Sequence, residues 1–224
     1  MIRRQLSDAI VRGDAGTAEA KARILGQYAE DPTEALDDLY DAFRTAESLH
    51  ALGEFDDERF TASVDAARAS LNVLRSSLVP RQSRFTARIC VGPVSGGNDV
   101  MSAIMAAMLA ASGHQVADLS RVTTPKELLR NAEHNGAELL VVSFNEQTIG
   151  LVKEFANEFE LGGFRNKFDA AAFSRDSRWT PAESDPFAFV AHDPLELLSR
   201  TTEFLIRARS RSEENHSISS TRNC

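Results

Sequence analysis

Between residues 86 and 209 the chain alternates short β-branched or apolar runs with capped helical stretches, and that alternation leaves few folds open. The runs are "ARICVGPV", "HQVADLS", "AELLVVSF", "KFDAAAFS" and "FAFVAH". Between them lie "NDVMSAIMAAMLAAS", "TPKELLRNAEHNG" and "QTIGLVKEFANEFE", and "DPLELLSRTTEFLIRARS" follows the last run. Thr124 stands before Pro125, and Asp193 before Pro194. In each pair a side chain that accepts from the first helical N–H groups precedes a residue suited to the first turn. Gly113 and Gly136 stand where two helices should end. Strands alternating with helices predict a parallel, doubly wound sheet of about five strands, an α/β fold. Such sheets take ligands at the carboxyl ends of their strands, where the strand order reverses.

The first 80 residues have a different period. Leu6, Ile10 and Val11 share one helical face, and Asp14 is a fair cap for the stretch after Gly13. Asp31 and Pro32 open a third helix, in which Leu36, Leu39, Tyr40 and Phe43 repeat at helical spacing. After "GEF", Phe60, Val64, Ala67, Leu71, Leu74 and Leu78 recur at three- and four-residue steps until Pro80 stops the pattern. Four helices with short connections predict an antiparallel bundle over residues 1–80. "PRQSRFT" reads as a linker, residues 86–209 as the second domain, and residues 210–224, polar and without an apolar repeat, as a disordered tail.

At 224 residues and 42% hydrophobic the chain can bury a large core or two small ones. A net charge of -8 without a basic stripe argues against direct nucleic-acid binding. Its two cysteines, Cys90 in an apolar run and Cys224 in the tail, make neither a disulfide framework nor a zinc site. "MIRRQLSDAIVRGD" lacks the apolar run of a secretory signal, and no stretch approaches the roughly 18 apolar residues of a membrane helix. A cytoplasmic protein is expected.

The turn Ser95-Gly96-Gly97-Asn98-Asp99 lies on the predicted ligand edge, as does the segment Ser143, Asn145 and Thr148. The glycines suit positive φ, and Asn98 is expected to cap the helix. The alternative is that free N–H groups at this helix start bind an anion such as a propionate or phosphate. Met101, Met105 and Met108 share a face with Ile104 and read as core. Asp99, Glu146 and Asp118 have no spacing that makes an acid–base set, and no nucleophile–base pair is visible, so no enzyme is expected. His114, His134 and His192 sit at element ends and receive no metal. Trp179, in a polar loop, is expected to anchor that loop.

"LSDAIVRGD", "GEFDDERFTASVDAARASLNVLRSSLVP", "MLAASGHQVADLS", "HNGAELLVVS" and "FAFVAHDPLELL", in this order, resemble the cobalamin-binding module of methionine synthase, corrinoid proteins and B12-dependent light-sensing regulators. The resemblance spans residues 5 to 208 and implies a helical cap on a five-stranded flavodoxin-like domain. It also implies Asp-x-His-x-x-Gly after the first strand. The histidine ligates cobalt from below, the aspartate orients it, and the glycine leaves room for the cofactor's nucleotide tail. Here Gly96, Asn98 and Met101 stand at those positions. The family's Ser-x-Leu is Ser143-Phe144-Asn145, and its Gly-Gly falls near Ala171 and Ala172.

These departures predict a chain that does not hold cobalamin with a histidine below the metal. The upper region remains: His50, Leu52, Phe55 and Phe60 lie where the resemblance puts the cap over the corrin. A flat apolar ring gains about 25 cal/mol per Å² buried, so one axial bond is dispensable. Three functions follow. The first is a non-catalytic sensory or regulatory protein binding a tetrapyrrole, which is cobalamin, heme or a bilin such as biliverdin, and acting through a protein partner or as a homodimer. The second is a corrinoid methyl carrier of a methyltransferase system. The third is a scaffold for protein interaction with no cofactor at all.

Overall fold

The structure is a computed structural model that describes residues 1–221 except 30, 78, 83–84, 97–98, 146–147, 175–178, 181 and 183–185; for residue 32 and residues 211–221 it describes the backbone alone. Four helices come first: α1 (Ile2–Val11), α2 (Ala15–Tyr28), α3 (Pro32–Ala51) and α4 (Asp57–Ser77). Then β1 (Arg88–Pro93), α5 (Val100–Ala111), β2 (Gln115–Asp118), α6 (Pro125–His134), β3 (Leu139–Phe144), α7 (Val152–Leu161), β4 (Asp169–Ser174), β5 (Phe187–Ala191) and α8 (Pro194–Thr221) alternate. The five strands are all parallel, in the order β2-β1-β3-β4-β5. This is the flavodoxin-like order, with its reversal between β1 and β3.

The expected caps form. Asp14 accepts from Thr17 N–H, Asp31 from Thr33 N–H, Thr124 from Glu127 N–H and Asp193 from Glu196 N–H. Two boundaries differ from the sequence reading. "QTIGLVKEFANEFE" is not one helix, since a 3₁₀ turn at Ile149–Leu151 precedes α7. Helix α8 runs on to Thr221, past the boundary at residue 209 and through most of the expected tail. Among the described residues no helix is long and apolar enough to cross a membrane.

Side chains alternate along each strand, and the two faces bury different sets. Ile89, Val91, Leu139, Val141, Ala171 and Phe173 face α5 and α8. Cys90, Leu140, Val142, Phe144, Ala170 and Ala172 face α6 and α7. The first face does not end at α5, because its core continues without a break into Leu6, Ile10, Leu36, Leu39, Tyr40, Phe43 and Leu74 of the bundle. Helices α3 and α4 both pack on α5. Tyr40 of α3, almost fully buried, meets Phe173 of β4 edge-on at 6.3 Å. Burial, then the carboxylates of Asp41, Asp38 and Asp193, push Asp37 above its ordinary pKa.

Polar contacts fasten the same junction. Arg75 of α4 donates to Asp118 of β2 at 2.6 Å and to the Ala103 carbonyl of α5 at 2.5 Å. Arg81 pairs with Asp31, tying the linker to the start of α3. Burial raises the Asp118 pKa, but hydrogen bonds from Ser120 and Arg75, with the guanidinium charge, outweigh it and hold the carboxyl below its ordinary range. A lowered folded pKa means stability that is complete above the unfolded value and lost as pH falls through the folded one.

Two outcomes follow for stability. Phe173→Ala should cost about 3–5 kcal/mol in urea denaturation. Trp179 fluorescence and helical circular dichroism should report one shared transition, since cap and sheet share a core. The stability gap between the unaltered protein and Arg75→Gln, measured across a pH series, should be full at neutral pH and close as the medium falls below the ordinary aspartate value of 3.8.

Candidate functional site

The reversal between β1 and β3 brings two loops together at the carboxyl edge of the sheet. Val94 N–H donates to the Ser143 carbonyl at 3.1 Å, joining the loop after β1 to the end of β3. Gly92 lets the connection after β2 lie against this strand, because an added Cβ would meet Leu128 Cδ1 at 2.7 Å and the Leu119 carbonyl at 2.9 Å. Gly96 holds φ +98°, which glycine tolerates and other residues resist, with no heavy atom within 4 Å of an added Cβ. Gly97 and Asn98 lie outside the described residues.

The cap of α5 is Asp99, correcting the expectation that Asn98 fills that role. Asp99 Oδ1 accepts from Met101 N–H at 3.2 Å, and Oδ2 accepts from Ser102 N–H at 3.2 Å and Ser102 Oγ at 2.6 Å. Asp99 N–H donates to the Ser120 carbonyl at 2.9 Å. The turn's own carboxylate therefore takes helix-start donors that an outside anion would need.

After β3, Asn145 N–H donates to Thr148 Oγ1 at 2.9 Å, and Thr148 N–H donates to Asn145 Oδ1 at 2.9 Å. The two side chains close their own turn. Ser143 is buried. Phe144 beside it packs against Phe155, Phe187 and Trp179 with ring centroids 5.7–6.4 Å apart. Trp179 anchors its loop on this cluster, as expected.

The cap residues gather at the α3–α4 turn. His50 lies flat on Phe60 at 4.3 Å, and its Nε2 is 3.0 Å from Asp57 Oδ1. Phe60 also stacks on Phe43 at 6.2 Å. Phe55 is buried under the Arg59 guanidinium, 4.0 Å from the ring centre. Leu52 stands 74% exposed, an apolar side chain with little cover. The structure thus makes two groups of the candidates, the α3–α4 turn and the paired loops at the sheet edge.

The residues at this edge do not fit a cobalamin held from below. Met101, where the resembling modules keep a glycine for the nucleotide tail, is fully buried in the core that joins cap and sheet. Gly96 has no carboxylate to orient a ligand. Ala171 and Ala172 are themselves fully buried, and Phe173 beside them fills space against Tyr40. A cavity of about 260 Å³ lies elsewhere, between Arg75, Ala107, Ala111, Val116 and Asp118. It is smaller than sites that enclose drug-sized ligands. Cys90 is buried and its thiol is pushed up to about 11, so it stays protonated and unreactive at neutral pH.

Sequence reading missed the Arg75–Asp118 pair and the place of His192. The pair has no local signal, because its members are 43 positions apart. His192 follows β5, and its Nδ1 lies 2.9 Å from the Ser174 carbonyl. The signal was its position, since the residue after a strand of such a sheet stands on the ligand edge.

No protein-family model and no curated protein matches the chain. Among solved structures, the monomethylamine corrinoid protein of Methanosarcina barkeri is similar at a TM-score of 0.72 and 16% identity, covering 89% of this chain and 96% of that one. The methanol:cobalamin methyltransferase complex MtaBC of the same organism is similar at TM-score 0.47 and 16% identity, over 92% of this chain and 80% of that one. A cobalamin-binding protein of Desulfitobacterium hafniense is similar at TM-score 0.44 and 14% identity, over 91% and 98%. The last two scores are too low to carry an argument. The first establishes the fold that the sequence resemblance implied, a helical cap on a flavodoxin-like domain.

Asp99→Ala should lower stability by about 1 kcal/mol, while Asp99→Asn, an equally good cap, should leave it nearly unchanged. Thermal melts of the two variants check this.

Proposed function

We propose that the chain is a non-catalytic sensory or regulatory protein that binds a metal tetrapyrrole, cobalamin foremost, at the carboxyl edge of the sheet under the α3–α4 turn, and passes the binding on to a protein partner or a second copy. The fold shared with a corrinoid protein supports a corrinoid as the ligand. Heme and biliverdin have no such support and serve as controls.

One observation carries the regulatory reading over the methyl carrier, namely the loop after β1. Asn98 stands at the histidine position, Asp99 is spent on capping α5, and Met101 fills the core where a glycine would leave space. By the resemblance, the missing histidine is the group that helps cobalt pass between states in methyl transfer. Binding then relies on apolar cover, to which Leu52, exposed at the α3–α4 turn, is suited. The unbroken core between cap and sheet favours a second reading, the scaffold without a cofactor.

Visible spectra separate these readings. Hydroxocobalamin or adenosylcobalamin should give a shifted spectrum with the purified protein, and ligand addition or light should change its oligomeric state in size-exclusion chromatography. No shift with any of the corrinoids, heme or biliverdin would leave the scaffold. A bound corrinoid that accepts a methyl group from a donor methyltransferase would restore the carrier. Asn98→His should change hydroxocobalamin affinity by less than about tenfold, or 1.4 kcal/mol, because Met101 still fills the core beneath.

A further inference from the structure

The cavity of about 260 Å³ lies where cap and sheet join, walled by Arg75 of α4, Pro80 of the linker, Ala107 and Ala110 of α5, and Val116 and Asp118 of β2. The large side chains of α5, Ile104, Met105 and Met108, are buried in the core, and alanines are what this helix gives to the wall. Water needs two to four polar partners to be held firmly, and methyl groups supply none. Water in such a space is displaced by an apolar group with a gain in free energy. The two polar side chains of the wall are both partly buried, and they are unequally committed. Asp118 Oδ1 accepts from Ser120 N–H at 2.9 Å, and Oδ2 accepts from Arg75 Nη2 at 2.6 Å. Nη2 also donates to the Ala103 carbonyl. Arg75 Nε and Nη1 bond no described residue, so the guanidinium keeps N–H groups to donate beside an apolar wall.

A chamber of this kind fits a small amphiphile whose head accepts hydrogen bonds. A carboxylate is the strongest such head, because charge-assisted hydrogen bonds are about twice as strong as neutral ones. A cationic head is worse served, since both oxygens of Asp118 are already engaged. Volume sets the body. An apolar void of about 150 Å³ takes benzene, and drug-sized ligands need more than about 300 Å³. We propose that the cavity binds a small monocarboxylate with an aliphatic body of about six carbons, its carboxylate on Nε and Nη1 of Arg75 and its chain against Ala107, Ala110 and Val116. The wall is drawn from cap, linker and sheet, so the ligand braces the junction that Arg75 already spans. The site is separate from the loops after β1 and β3 and does not depend on the tetrapyrrole reading.

Hexanoate tests this in the full chain by nuclear magnetic resonance titration. It should shift the Arg75 Nε–H signal and the backbone amide signals of Ala107, Ala110 and Val116 along one saturating curve, and it should raise the melting temperature. Acetate, which lacks the body, should bind at least tenfold more weakly, and so should hexanol and hexylamine, which lack the carboxylate. Ala110→Leu, which fills the chamber, should weaken hexanoate at least tenfold while circular dichroism shows the same fold. Should that variant fail to fold, the comparison of acetate with hexanoate decides whether the apolar wall is used. No saturable shift with hexanoate, an affinity unchanged in folded Ala110→Leu, or acetate binding as tightly as hexanoate overturns the site. Hexanol or hexylamine binding as tightly as hexanoate overturns the assignment of a carboxylate to Arg75.

Discussion

Burial of one continuous apolar surface joins the two halves of this chain. Tyr40, Leu36 and Phe43 of the bundle, Met101 and Met105 of α5, and Phe173 of β4 belong to a single core. At about 25 cal/mol per Å², such burial outweighs any of the exposed ion pairs around it. The cap is therefore not a separate bundle on a linker. Its position over α5 is set by the same contacts that close one face of the sheet. A change at the edge of that core therefore touches both halves.

The closed core also decides what the ligand edge has become. In the resembling modules a loop after the first strand offers a histidine, an aspartate and an empty glycine position. Here the carboxylate available, Asp99, turns inward to the helix start, and the methionine two residues on is sealed in the core. Asn145 and Thr148 satisfy each other across their own turn. Among the described residues of the β1 and β3 loops, Asp99, Asn145 and Thr148 are committed to bonds within the protein itself. At the neighbouring β4 and β5 ends, His192 keeps a ring nitrogen unbonded by any described residue and Ser174 a hydroxyl without a partner.

Much of the fold was legible because its signals are local. A cap needs one side chain and an N–H two or three residues on, so Asp14, Asp31, Thr124 and Asp193 could each be read from a few letters. Asn98 and Asp99 could not be separated that way. Both types cap equally well, and a one-residue shift in the helix start decides between them. The helix at "QTIGLVKEF" begins late because the Asn145–Thr148 turn and a 3₁₀ segment occupy its expected first residues. A polar composition after Arg209 suggested disorder, yet composition alone does not stop a helix that has already been nucleated by a packed stretch.

By itself, the sequence determined the order of elements, the parallel sheet and the helical cap, since each of these is written in residue type and short-range period. Only the tertiary structure decided that Met101 and Phe173 fill the space between cap and sheet, that Arg75 reaches Asp118, and that His192 is tied to the end of β4. Those contacts join residues distant in the chain, and their free energy depends on burial and geometry that no local pattern encodes.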